Sequence, residues 1–123
     1  MADPDIHRKL FDAVGDDSDD TRVRELLAAG ADPHKYKDRR GWTVLIEAAW
    51  RGRDSTVSIL IQHGADLNIQ DNDGKTALQR ATWNGKYEFT TKLIKAGADL
   101  NIKDKDGKTI FLDYSNVIAR LEY

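Results

Sequence analysis

The stretch Gly64-Ala65-Asp66-Leu67-Asn68-Ile69-Gln70-Asp71-Asn72-Asp73-Gly74-Lys75-Thr76 returns almost letter for letter as Gly97-Ala98-Asp99-Leu100-Asn101-Ile102-Lys103-Asp104-Lys105-Asp106-Gly107-Lys108-Thr109, 33 residues further on. A fixed period of that length marks a stack of supersecondary units, each burying its apolar face against its neighbours. A weaker echo runs from Gly30-Ala31-Asp32 to Gly41-Trp42-Thr43. Its Asp-to-Gly spacing, Asp32 to Gly41, is one residue longer than Asp66 to Gly74 or Asp99 to Gly107, so the first turn carries an insertion.

Outward from the repeat, Thr43, Thr76 and Thr109 each follow a residue pair that closes a turn and precede an apolar run. That is the place of a side-chain oxygen that caps a helix N-terminus, so a helix is expected to start at each. The first runs through Leu45, Ala48 and Ala49 to Gly52, the second through Leu78 and Ala81 to Gly85. A partner helix follows each, with Val57, Ile59, Leu60 and Ile61 in one and Phe89, Leu93 and Ile94 in the other, at helical spacing. Gly30, Gly64 and Gly97 stand where those helices stop and the chain needs a left-handed residue. The Asp-x-Asp-Gly segments beyond them read as tight turns.

Asp-x-x-Gly-x-Thr, two short helices and Gly-Ala-Asp-Leu-Asn together resemble the ankyrin repeat over essentially the whole chain. The resemblance implies an all-α solenoid of paired antiparallel helices with β-turn fingers. It implies an N-terminal cap unit over residues 1–37, full repeats over 38–70 and 71–103, and a C-terminal half repeat over 104–123. The family's usual Thr-Pro-Leu-His reads Thr43-Val44-Leu45-Ile46, Thr76-Ala77-Leu78-Gln79 and Thr109-Ile110-Phe111-Leu112. The usual Thr–His hydrogen bond is therefore expected to be missing. Thr90 and Thr91 stand at positions that are usually aliphatic, and a single helix, Ile110 to Leu121, is expected after the last turn.

Composition narrows the classes further. A net charge of -2 on 123 residues argues against a polyanion binder. With no cysteine, disulfides, thiolate zinc sites and cysteine nucleophiles are excluded and a reducing compartment, cytoplasm or nucleus, is expected. Met1-Ala2-Asp3-Pro4-Asp5 does not read as a secretory signal, and no segment approaches membrane-spanning length.

Chemical motifs are weak. His7, His34 and His63 fall in separate units without ligands at metal spacing. Counted from Asp16, a calcium loop needs Gly at the sixth and Glu at the twelfth place, where Thr21 and Leu27 stand. The run Asp16 to Asp20 reads instead as a solvated loop in which Asp19 or Asp20 caps the next helix. Neither a phosphate cradle nor a catalytic constellation emerges, so no enzyme, cofactor or small-molecule substrate is expected. Asn68 and Asn101 match the family's asparagine that hydroxylases can modify.

The partner surface is expected around three tryptophans. Trp50 and Trp83 share one position, 33 residues apart at the ends of successive first helices, with Trp42 on the preceding finger. All three are expected to point into one concave groove, Trp50 and Trp83 exposed and adjacent, among Arg39, Arg40, Arg51, Lys75, Arg80 and Asn84. Alternatively these aromatics are core residues, as aromatics at helical spacing usually are. A groove of Trp and Arg has the composition of an interface hot spot, and a protein partner with an acidic or apolar patch is expected. An engineered binder on an ankyrin scaffold is the alternative. Single-stranded nucleic acid is disfavoured by the acidic balance.

Overall fold

The structure, a computed structural model, describes residues 3–15 and 20–110. Six helices follow in order: α1 Ile6–Val14, α2 Thr21–Ala28, α3 Val44–Arg51, α4 Asp54–Gln62, α5 Ala77–Trp83 and α6 Tyr87–Lys95. No strand occurs among the described residues. The helices pair as α1 with α2, α3 with α4 and α5 with α6, while α1, α3 and α5 pack side by side along the stack. Leu10, Val14, Leu45, Ile46, Val57, Leu60, Leu78 and Leu93 are almost wholly buried, forming one core that runs through all the pairs.

Each threonine expected to start a helix does so where the chain is described. The Thr43 side chain accepts from the Ile46 N–H at 3.4 Å. At Thr76 the tie expected to be missing is supplied by a glutamine. Gln79 N–H donates to Thr76 Oγ1 at 3.3 Å and Thr76 N–H donates to Gln79 Oε1 at 2.9 Å, a reciprocal capping box. Gln79 also donates from its amide to the carbonyl of Lys108 at 3.2 Å. One side chain thus closes its own helix and ties it to the next unit. Ile110 is helical, and the expected helix beyond it lies outside the described residues.

The three fingers are built alike. Asp38, Asp71 and Asp104 each accept two backbone N–H groups, from residues two and four positions on, at 2.8 to 3.0 Å. The backbones then close with Asp38 N–H to Trp42 at 3.1 Å, Asp71 N–H to Lys75 at 2.8 Å and Asp104 N–H to Lys108 at 2.9 Å. The inserted residue therefore falls between Asp32 and Asp38, where Tyr36 packs on Phe11 with ring centroids 5.2 Å apart. Fingers stack edge to edge: Asn72 N–H donates to the Arg40 carbonyl and Lys105 N–H to the Asp73 carbonyl, both at 3.0 Å. The contact is tight enough that a Cβ on Gly74, whose φ is 77°, would lie 2.8 Å from the Lys105 nitrogen.

A second ladder joins the segments before the fingers. Asp32 N–H donates to His7 Nδ1 at 2.9 Å, Asp66 N–H to His34 Nε2 at 2.6 Å and Asp99 N–H to Asn68 Oδ1 at 2.8 Å. His7 and His34 therefore serve as scaffold acceptors, with Asn68 in the equivalent place one step on. On the outer layer, Asp20 occupies the position before α2 but makes no capping bond there. Its carboxylate instead takes the hydroxyls of Ser55 and Thr56 on α4. This corrects the capping role expected of Asp20, while Asp16 to Asp19, with the alternative cap Asp19, lie outside the described residues. Burial disfavours ionisation of Asp20, but those two hydroxyl bonds, helped by Arg53 and Arg24, bring its carboxyl below the usual aspartate value. Lys92 of α6 ties back to Asp54 and to Ser58 of α4. The Thr82 and Thr90 hydroxyls pair at 2.8 Å in the core between α5 and α6, which lets polar side chains stand at buried positions without an unmet hydrogen bond.

Candidate functional site

Arg39, Arg40, Trp42 and Lys75 stand on the fingers and Trp50, Arg51, Arg80, Trp83 and Asn84 on or just after α3 and α5, but their side chains are not disposed as the sequence suggests. Trp42 is 4% exposed and belongs to the core. Its ring meets Trp50 edge-on, with centroids 5.6 Å apart. Trp50 is itself half-buried and packs against the core. The expectation that all three indoles open into a groove is therefore corrected at Trp42 and weakened at Trp50. The physical reason is that the Trp42 ring packs on Trp50 and lies under the Arg40 guanidinium, which together take it out of solvent. Trp83, on the next unit, is 47% exposed.

The second correction concerns charge. Arg40 spans Asp38 and Glu47, with contacts of 2.5 and 2.7 Å, and lies over the Trp42 ring. Arg51 meets the same Glu47 at 2.5 Å. Arg80 bonds Asp71 at 2.7 Å and Asp73 at 2.8 Å, and its guanidinium is 5.4 Å from the Trp42 ring centroid. Lys75 bonds Asp104 at 2.7 Å. The expected positive surface is thus a paired one, and of the five cations only Arg39 lacks an ion-pair partner among the described residues. Asn84 also serves the scaffold, donating to the Trp50 carbonyl at 2.9 Å.

These pairs move proton affinities in the directions their geometry requires. Burial works against ionisation of Asp104, yet the Lys75 bond and the backbone N–H groups of Lys108 and Asp106 outweigh it and hold the carboxyl below the usual aspartate value. At Asp38, burial is likewise overcome by Arg40 and the Trp42 N–H. Burial opposes the charge on Arg40 and Arg80, but Asp38 and Glu47 for the first, and Asp71 and Asp73 for the second, raise both above the ordinary arginine value.

Around Trp83 the arrangement differs. A cavity of about 290 Å³ is lined by Lys75, Arg80, Trp83, Asp106 and Lys108. Lys75 and Arg80 are fixed from behind by the buried carboxylates Asp104 and Asp71, whose side chains are 1% and 0% exposed. Sequence reasoning missed Glu47, Asp71 and Asp104 as the groups that orient these cations. A signal for Glu47 was present, since it is the one charge within the apolar run Val44 to Trp50. No group of three His, Asp or Glu side chains among the described residues is placed to hold a metal ion.

Helix pairs stacked at a 33-residue period and joined by turn fingers define a helical repeat solenoid. The chain belongs to the ankyrin-repeat family, whose profile of three repeat copies matches residues 10–104. Over 48 residues it is also 46% identical to the 2-5A-dependent ribonuclease of Mus musculus. That stretch is 39% of this chain and 6% of the relative, so the chain spans only a small part of that protein's length.

Proposed function

We propose that the chain is a non-enzymatic interaction module, working in the cytoplasm or nucleus, that binds a partner protein through its finger tips and the exposed end of α5. Ankyrin repeats are generally protein-interaction modules. The observation that carries the reading here is the half-exposed Trp83, at the end of a helix tied by Asn84 and Gln79 to the units on either side. A large aromatic side chain left at the surface of a rigid scaffold is the common anchor of a protein interface, because little ordering is required on binding. Trp42, Trp50 and the pairs around Arg40, Arg51 and Arg80 form the floor that holds this surface in shape, with Arg39, Lys75 and Asn84 at its rim. The partner presents an acidic or apolar patch.

The test is the affinity of an identified partner for the Trp83→Ala variant. A loss of about tenfold or more, corresponding to a contact at the centre of an interface, supports the reading. Unchanged affinity with an intact fold would sink it.

A further inference from the structure

Resting on the reading of Trp83 as an interface anchor, we infer that the cavity beside it is a seat for one carboxylate side chain flanked by an apolar residue on an acidic segment of the partner. The inference comes from unused hydrogen-bonding capacity. A lysine ammonium carries three N–H donors and a guanidinium five. Lys75 donates one to Asp104, and Arg80 donates to Asp71 and Asp73. Lys108 has no ion pair among the described residues. The cavity wall therefore holds donors in excess, two of the three cations already immobilised by buried carboxylates on their far side. A carboxylate entering from solvent meets fixed donors, and the indole face of Trp83 offers cover for the neighbouring aliphatic side chain.

The same surroundings choose among anions. Asp71, Asp73, Asp104 and Asp106 stand within or directly behind the wall. Four carboxylates beside three cations leave no net positive charge, so a carboxylate is held through the unused N–H donors and a polyphosphate is opposed. A volume of about 290 Å³ lies at the lower edge of ordinary ligand pockets and suits one or two side chains.

The test is titration of the isotopically labelled full chain with the blocked peptide acetyl-Glu-Leu-Glu-Leu-amide and its counterpart acetyl-Gln-Leu-Gln-Leu-amide, followed by NMR. The glutamate peptide is expected to shift the Trp83 indole and the Lys75, Arg80 and Lys108 signals, with affinity about tenfold above the glutamine peptide. Lys108→Ala, which breaks no ion pair among the described residues, is expected to reduce that preference. Equal response to the two peptides, shifts elsewhere on the stack, or stronger displacement of the same signals by ATP or inorganic phosphate would each overturn the assignment. If the assignment falls while Trp83→Ala still weakens partner binding, only the carboxylate seat is lost. If Trp83→Ala leaves partner binding intact, the interface reading itself falls.

Discussion

The Arg40 guanidinium carbon lies 3.6 Å from the centroid of the Trp42 ring, so the most buried indole of the chain is roofed by a cation that two carboxylates already hold. Arg40 joins a finger to a helix: Asp38 lies at the base of the first finger and Glu47 in the middle of α3. Arg40→Ala removes the roof, one partner of Glu47 and the stacking contact together. Because the arginine is half exposed, the expected loss is about 1 to 2 kcal/mol. It is checked by urea denaturation, together with a red shift of tryptophan emission as Trp42 meets water.

Thr76 and Gln79 separate capping from stacking. Thr76→Ala removes half of the capping box and is expected to cost about 1 kcal/mol. Gln79→Ala is expected to cost more, since it also removes the donor to the Lys108 carbonyl in the next unit. Thermal unfolding of the two variants checks the order, and a larger loss in Thr76→Ala would contradict it.

Gly74 and Gly107 have the same backbone φ, 77°, but different surroundings. A Cβ on Gly74 would lie 2.8 Å from the Lys105 nitrogen, whereas at Gly107 nothing described comes within 4 Å. Alanine strains both backbones equally, by about 1 kcal/mol. The excess loss in Gly74→Ala over Gly107→Ala measures the packing of finger on finger, and equal losses would show that the fingers can slide apart at no cost.

Acid should loosen the stack through Asp38 and Asp104. Both carboxyls are held below the unfolded aspartate value in the fold. The charged form is therefore the one the fold favours, and the stabilisation is present above about pH 4. It declines as pH falls through the depressed values, because each carboxylate must then take up a proton. Asp104→Asn is expected to lower stability at neutral pH and to flatten the acid limb, as read from denaturation midpoints between about pH 5 and about pH 2.

Trp83→Ala should cost clearly less stability than a core tryptophan substitution, since the indole is 47% exposed at a helix end. Trp42→Ala, in contrast, should cost about 3 kcal/mol or more. The two tryptophans are thereby separated by denaturation alone.

The fold was legible because its signals are local and recur: the capping threonines, the turn aspartates and the glycines stand at fixed spacing, and each acts within a few residues of itself. The candidate site was legible only in part. Trp50 and Trp83 hold equivalent positions, yet Trp50 packs on the tryptophan of the preceding finger and is half-buried, whereas Trp83 is the more exposed of the two. Gly74-Lys75-Thr76 stands where Gly41-Trp42-Thr43 stands one unit earlier, and that exchange of Trp42 for Lys75 accompanies the difference. The charge pattern misled for a related reason. Lys75 finds Asp104 across 29 positions, and Arg80 finds Asp71 across nine, separations that a reading of neighbouring charges does not join.

The ladders that hold the stack together link each unit only to the one before or after it: His34 to Asp66, Asn68 to Asp99, the Arg40 carbonyl to Asn72, the Asp73 carbonyl to Lys105. In hereditary terms this makes the unit a removable tile. A duplication or excision of one whole period in the gene would rejoin a finger edge to a matching finger edge, so the number of tiles can drift over generations while every joint stays closed. Selection on the side chain at a helix end can then give one tile an indole packed on another and its neighbour a more exposed one, without any new fold having to be found.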